Sequence, residues 1–434
     1  MSGRPAPVVI DDLAEPRFGE DVRAVLAMMA EAGAALELAP GPLMAAASEQ
    51  TGLDDFGSLD FVERLDVLCR ALVEEGGLSP AGVMAQHGLL TGLLRNRLLI
   101  EDRIKRNPEI LDIRIEAPII ICGLPRTGTT HLHNLISSDP ALRSLPYWES
   151  LEPLLAESER PGPGQPDPRR ARTEQALWMI GAAMPYFERM HEMTVDHVHE
   201  EIQLLAIDFS TMLFDTIAPM PTWRDYYLSH DQRPSYRYLL RILKVLQAER
   251  GGRRWVLKSP QHLEQFPALL DTFADATFVV THRDPVSVTA SMVTMLAYSA
   301  RMGRDRVDVA GIGRYWADRL ERMLAACVAD RDVLPEDRSI DVRFPEFMAD
   351  DMAMVGRIYD LAGQTLTDGS RAAMEKFMLD HPRGRHGTVV YDMAQLGLDR
   401  DERRRALRFY TDRFGLEEEP AAPLPRRLES GSAG

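Results

Sequence analysis

The sequence predicts an α/β fold: a parallel β-sheet flanked by helices, with a helical N-terminal region and a helical insertion. Three observations point to it. Short, continuous apolar runs occur at residues 118–122, 255–257 and 277–280, the pattern of strands buried on both faces. Each run ends at polar residues and precedes a helix-like segment, and strands alternating with helices build parallel sheets. The first 115 residues read as helical, with no run of that kind.

Composition sets the outer limits. The chain has 434 residues, 45% hydrophobic and 27% charged, the balance of an ordinary globular protein with a large core. Its net charge of −16 argues against a general nucleic-acid binder, which needs a basic face for phosphates. A small anionic ligand needs only a few local cations and remains compatible. Cys69, Cys122 and Cys327 show no metal spacing and no disulfide framework, so a reducing compartment is expected. Residues 1–15 lack a cationic, apolar signal region, and the richest apolar stretch, residues 89–100, is broken by Arg95, Asn96 and Arg97. The expectation is a cytoplasmic protein without a transmembrane segment.

Along the chain, residues 1–115 form the helical N-terminal region. Ser79-Pro80 reads as an N-cap with proline at the first helical position. Val83, Leu90, Leu94, Leu98 and Ile104 follow as a helical stripe that stops before Pro108. Ser58 is expected to cap a helix carrying Phe61, Leu65, Leu68 and Leu72. The main domain spans residues 116–416. Within it, 118–122 is the first strand and 129–137 a helix. Residues 159–170, rich in Pro and Gly, form a loop or lid, and 171–250 form the helical insertion. A weaker fourth strand covers 340–344. Residues 417–434, acidic and then rich in Pro, Ser and Gly, are expected to be a frayed tail.

The sharpest feature is Gly123-Leu124-Pro125-Arg126-Thr127-Gly128-Thr129-Thr130, directly between a strand and a helix. In this context loop amides and a helix N-terminus cradle a phosphate. The glycine spacing is that of a nucleoside-triphosphatase loop, but Thr129 stands where that loop has lysine. That lysine reaches the β- and γ-phosphates. Without it the loop suits a single phosphate, held by amides, two threonine hydroxyls and Arg126, in a P-loop-like sheet. No acid positioned to hold a metal is apparent. A second anion site follows the strand that ends at Val280: Arg283 can fork onto a phosphate and Ser291 can add a hydroxyl. Both sites would lie at the carboxyl ends of parallel strands, where open α/β sheets bind ligands.

With these motifs the chain resembles the PAPS-dependent sulfotransferases (PAPS, 3′-phosphoadenosine 5′-phosphosulfate), over roughly residues 85–415. In that resemblance Pro125, Arg126, Thr127, Gly128, Thr129 and Thr130 correspond to the 5′-phosphosulfate loop. Arg283 and Ser291 correspond to the 3′-phosphate motif. Lys258-Ser259-Pro260, Trp148-Glu149, His199-Glu200 on a later helix, and Arg383-Gly384-Arg385-His386 followed by Leu396-Gly397-Leu398 are similar to features of the bacterial branch. The resemblance implies PAPS as co-substrate with PAP (adenosine 3′,5′-bisphosphate) as product, no metal requirement, and transfer of a sulfonate to an acceptor hydroxyl or amine.

Roles follow from that chemistry. Sulfonate transfer needs a cation where charge builds on the bridging oxygen, and Lys258, at a strand end, is the expected one. The acceptor must lose a proton. Glu149 is the first choice of base, since its aromatic neighbours Tyr147 and Trp148 can desolvate it. His199 and His262 compete for that role, although the family's histidine position, two residues after the lysine, is Pro260 here. His197, His199 and Glu200 invite a metal reading, but lack further ligands at suitable spacing. Arg383, Gly384 and Arg385 are expected to form a flap over the 3′-phosphate. Met184, Met190, Met193, Met212, Met292, Met295 and Met302 suggest an apolar small-molecule acceptor: a lipid, sterol-like or phenolic alcohol. At helical spacing such methionines also serve as plain core. The alternatives are a P-loop kinase and a non-catalytic PAP-binding protein. The N-terminal helices suit either a cap over the acceptor or a homodimer surface.

Overall fold

In the computed structural model, which describes residues 5–252 and 254–420, five strands form one parallel sheet in the order β2-β3-β1-β4-β5. They are β1 (Ile119–Gly123), β2 (Leu142–Arg143), β3 (Arg254–Ser259), β4 (Thr277–His282) and β5 (Ser339–Arg343). The apolar runs mark β1, β3, β4 and β5. β2 has two residues, too short for any run to announce it. Residues 421–434 of the expected tail lie outside the described residues.

β1 is central and fully buried, paired to β3 and β4. Its register sets Ile121 beside Lys258, Cys122 beside Ser259 and Gly123 beside Thr281. Successive strand residues face opposite ways, so one sheet serves two cores. Ile120, Cys122, Leu257, Phe278 and Val280 belong to one apolar cluster. Ile119, Ile121, Val256, Val279 and Val342 belong to the other, with Leu132, Leu135 and Ile136 of the helix after the glycine loop.

The N-terminal helices are α1 (Glu20–Gly33), α2 (Pro40–Thr51), α3 (Phe61–Glu74) and α4 (Pro80–Arg106). Ser79 caps α4 as expected, its hydroxyl accepting from the amide of Gly82 at 3.2 Å. Ser58 does not cap α3: Asp60 holds the cap position, and the Ser58 hydroxyl bonds to the Asp60 carboxylate at 2.6 Å. These helices share the larger core with the sheet. A buried ion-pair centre ties them to the insertion, with Asp208 held by Arg97 at 2.9 Å and Arg64 at 2.8 Å.

The loop after β1 leads into α5 (Thr129–Ser137), then α6 (Tyr147–Leu151) and α7 (Pro168–Ala183). α7 takes residues 168–170 out of the expected loop, because Asp167 caps it and Pro168 starts it. The insertion continues with α8 (Ile202–Ala206), α9 (Pro221–Ser229) and α10 (Arg233–Arg250). α11 (Phe266–Thr272), α12 (Pro285–Ser299) and α13 (Val309–Asp330) follow β3, β4 and the next loop. No helix among the described residues is long and apolar enough to cross a membrane.

Candidate active site

The turn from β1 into α5 is shaped by its backbone. Gly123 cannot carry a side chain, since a Cβ there would sit 1.9 Å from the Thr281 hydroxyl. Gly128 has φ 88° and Arg126 φ 71°, both in the left-handed region. Gly128 adopts that conformation freely, whereas Arg126 is strained by it, and such strain collects at ligand sites. Thr127 locks the loop by donating to the Leu124 carbonyl at 2.6 Å and meeting Thr281 at 2.7 Å. The first-turn amides of α5 have no acceptor inside the helix and carry its positive end. Thr129 and Thr130 stand on that turn.

The second anion motif sits beside the first. Arg283 follows β4, and Ser291 is buried on α12, which Asp284 caps. The Arg126 Nε donates to the Ser291 hydroxyl at 3.1 Å, and Arg283 donates to the Arg126 carbonyl at 2.6 Å. The structure thus joins Arg126, Arg283 and Ser291, 165 residues apart at the extremes, in one hydrogen-bonded group. Arg126 also donates to the Met190 carbonyl at 2.6 Å, so the insertion closes over the loop. Arg283 stacks on Phe344 with its guanidinium carbon 4.1 Å from the ring centre. Its Nε and Nη2 donate to the Glu419 carboxylate at 2.6 and 2.8 Å.

Lys258 stands one residue before the end of β3, 2% exposed, with its ammonium paired to Glu200. Its amide donates to Glu201 at 2.8 Å. His199-Glu200 is not helical: residues 197–200 run irregularly before α8, held by the bridge between Val198 and Pro146. This brings His197 and His199 within range of the Lys258 charge. His191 and His197 have ring centres 5.6 Å apart, and His197 and His199 5.9 Å. Burial lowers the pKa of His133, His191 and His199 well below the ordinary histidine value, and the charge of Lys258 adds to it. His197 is lowered to about 4, by burial first and then by Lys258. These imidazoles are therefore neutral at pH 7. His199 packs on Tyr147, and its Nδ1 has no hydrogen-bond partner.

Two base candidates have polar atoms already paired. Glu149 is fully buried, but its carboxylate is held by Arg143 at 2.6 Å and Arg250 at 3.2 Å, so it is committed to ion pairs. The aromatic neighbours expected to desolvate it are present, but they accompany two cations. His262 is also fully buried, with Nδ1 on the Tyr236 hydroxyl at 2.8 Å and Nε2 on Glu201 at 2.5 Å. Both ring nitrogens are used, so His262 braces Glu201 and, through it, the Lys258 backbone. Arg383 and Arg385 are each paired to a carboxylate. Arg383 pairs with Asp351, which also holds His131 of α5 at 3.2 Å, and Arg385 pairs with Glu192. Gly384 lies between them with φ 73°. Met184, Met190, Met212 and Met292 are buried in the main core. Among the described residues no group of His, Cys, Asp or Glu is arranged to hold a metal ion.

Glu201, His133, His191 and Glu419 stand in this arrangement without having been singled out in the sequence, and Glu200, read there with His199, is the partner of Lys258.

Comparison with known proteins bears on this arrangement. A model described as the sulfotransferase family matches residues 118–368. The chain is similar to the crystal structure of sulfotransferase STF1 from Mycobacterium tuberculosis H37Rv, with 31% identity and a TM-score of 0.73, covering 84% of this chain and 96% of that one. It is also similar to sulfotransferase STF9 from Mycobacterium avium, with 26% identity and a TM-score of 0.77, covering 88% of this chain and 97% of that one. A search of curated proteins gave no match.

Proposed function

The chain belongs to the sulfotransferase family, and from that premise we propose that it transfers a sulfonate group from PAPS to the hydroxyl of an apolar small molecule. The observation that supports this most is the convergence of the loop of Arg126 with Arg283, Ser291 and the buried Lys258 at one end of three adjacent strands. Two anion sites and one central cation match a nucleotide carrying phosphates at 3′ and 5′.

In this reading the α5 amides, Thr129 and Thr130 hold the 5′-phosphosulfate, and Arg283 with Ser291 holds the 3′-phosphate. The acceptor oxygen attacks sulfur in line. The bond between sulfur and the bridging oxygen breaks, and Lys258 meets the charge left on that oxygen, released from Glu200 as it does so. The acceptor proton passes to His199, whose neutral ring has an unpartnered nitrogen. Its depressed pKa rises as the donor's anionic groups offset Lys258. Arg383 and Arg385 serve in this reading as a basic flap whose resting partners are Asp351 and Glu192. The acceptor class rests on the apolar surroundings of the insertion.

The test is calorimetric binding of PAP, with Mg·ATP as control. Wild type should bind PAP and bind ATP weakly. Arg283→Ala should lose about 2–3 kcal/mol of PAP affinity. Binding of Mg·ATP without PAP would overturn the assignment.

A further inference from the structure

Away from the strand ends, α4 carries Gly88 and Gly92, one turn apart in the helix interior. Glycine there costs about 1 kcal/mol relative to alanine. Neither usual reason for it applies. Neither residue has a positive φ, and a Cβ on either would meet nothing within 4 Å. The open space belongs to a cleft of about 900 Å³ between α1, α4, α7 and the segment after α6, a size suited to small-molecule binding.

The lining fixes the chemistry of the occupant. Thr91 and Asn96 line the cleft and are each 3% exposed, yet the Thr91 hydroxyl oxygen and the Asn96 side-chain oxygen have no partner. Burying such groups unpaired costs about 1–3 kcal/mol each. The Asn96 amide donates to the Leu151 carbonyl at 2.8 Å, so its oxygen is the atom left over. One wall carries Arg95, Arg172, Glu152 and Glu159, and each guanidinium pairs with both carboxylates. Charge is cancelled inside this ring, leaving none for a charged ligand. Leu36, Met84, Leu151 and Ala156 supply apolar surface.

We propose that this cleft is a binding site, separate from the donor loops, for an uncharged and mostly apolar molecule bearing a hydroxyl group. It is one short helix from Lys258's surroundings: Tyr147, at the start of α6, packs on His199, and Leu151, at its end, lines the cleft.

The probe is 2-naphthol, followed by fluorescence titration, with 2-naphthalenesulfonate as the charged control. Wild type should bind 2-naphthol saturably and discriminate against the sulfonate. Gly92→Leu fills the cleft and should weaken 2-naphthol binding at least tenfold, with PAP affinity retained. Gly88→Ala should keep or raise Tm, and Asn96→Leu should weaken binding while the circular dichroism spectrum is preserved. No saturable binding, equal binding of the sulfonate, or undiminished binding to both Gly92→Leu and Asn96→Leu would overturn the inference.

Glu419 carries a second inference, which rests on the assignment of Arg283 to the donor's 3′-phosphate. Its carboxylate forks onto Arg283, its amide donates to Asp284 at 2.8 Å, and its carbonyl accepts from Arg400 at 2.5 Å and Arg404 at 3.0 Å. A carboxylate so placed copies a phosphate. We infer that this C-terminal segment is an internal competitor that PAP must displace. Glu419→Gln and Glu419→Ala should bind PAP about tenfold more tightly than wild type. Unchanged affinity, with PAP still bound, would sink the competitor and leave the donor site standing. No PAP binding by any of the three would sink both.

Discussion

At the scale of single residues, the proposed chemistry centres on Lys258. Its charge is felt by the buried His133, His197 and His199 and the half-buried His191, so removing it has two readable effects. Lys258→Met should lower kcat by roughly 10²–10³. It should also raise the His197 pKa above its value of about 4, measured by NMR titration of the imidazole protons. His199→Ala should reduce kcat by about 10²–10⁴, the usual worth of a positioned base. Glu149→Gln should act through stability, since it leaves Arg143 and Arg250 with less compensation. A fall in kcat with Tm unchanged would instead assign Glu149 the role of base. Lys258 and Arg283 could be singled out in the sequence because each follows a recognisable apolar run, and Ser291 by its place eight residues after Arg283. The commitments of Glu149 and His262 could not. One partner of Glu149 lies 101 residues away, and His262 meets Glu201 across 61 residues, contacts that only the tertiary fold creates.

At the scale of elements, local physics was most legible where one residue type settles the geometry. Gly128 ends the loop, α5 spans the expected residues 129–137, and Ser79 with Pro80 starts α4. The short β2 and the irregular His197–Glu200 segment escaped because they are held by neighbours, Trp255 in β3 and Pro146 before α6. α13 carries the element-scale prediction. Its Arg319, fully buried, binds Asp215 at 2.9 Å and Glu264 at 2.6 Å, so α13 is tied to the insertion and to the segment after β3. Arg319→Met leaves two carboxylates buried without their cation. It should destabilise the protein by about 3–5 kcal/mol in denaturant unfolding, unlike loss of an exposed pair such as Lys376–Asp380.

At the scale of the molecule, one sheet with two cores was legible from strand runs. The sharing of the larger core by the N-terminal helices was not, because an amphipathic helix does not name the surface it covers. The buried histidines set a molecule-wide pH response. Folded, they bind protons less readily than the ordinary value of 6.5 allows, so the unfolded chain takes up more protons as pH falls. Tm should be nearly level above pH 7 and fall between about pH 6.5 and 4. His197 alone accounts for on the order of 3 kcal/mol across its window. A Tm that held steady down to pH 4 would contradict this.

The clasp of Glu419 on Arg283 also gives the catalytic cycle a tempo. A carboxylate that must leave before a phosphate can arrive sets a ceiling on how fast the nucleotide is captured, however much is supplied. The same carboxylate returns as spent nucleotide departs and keeps it from settling back, so slower loading is coupled to cleaner unloading. In stopped-flow mixing, the observed capture rate should level off at high PAP in wild type and keep climbing in Glu419→Ala.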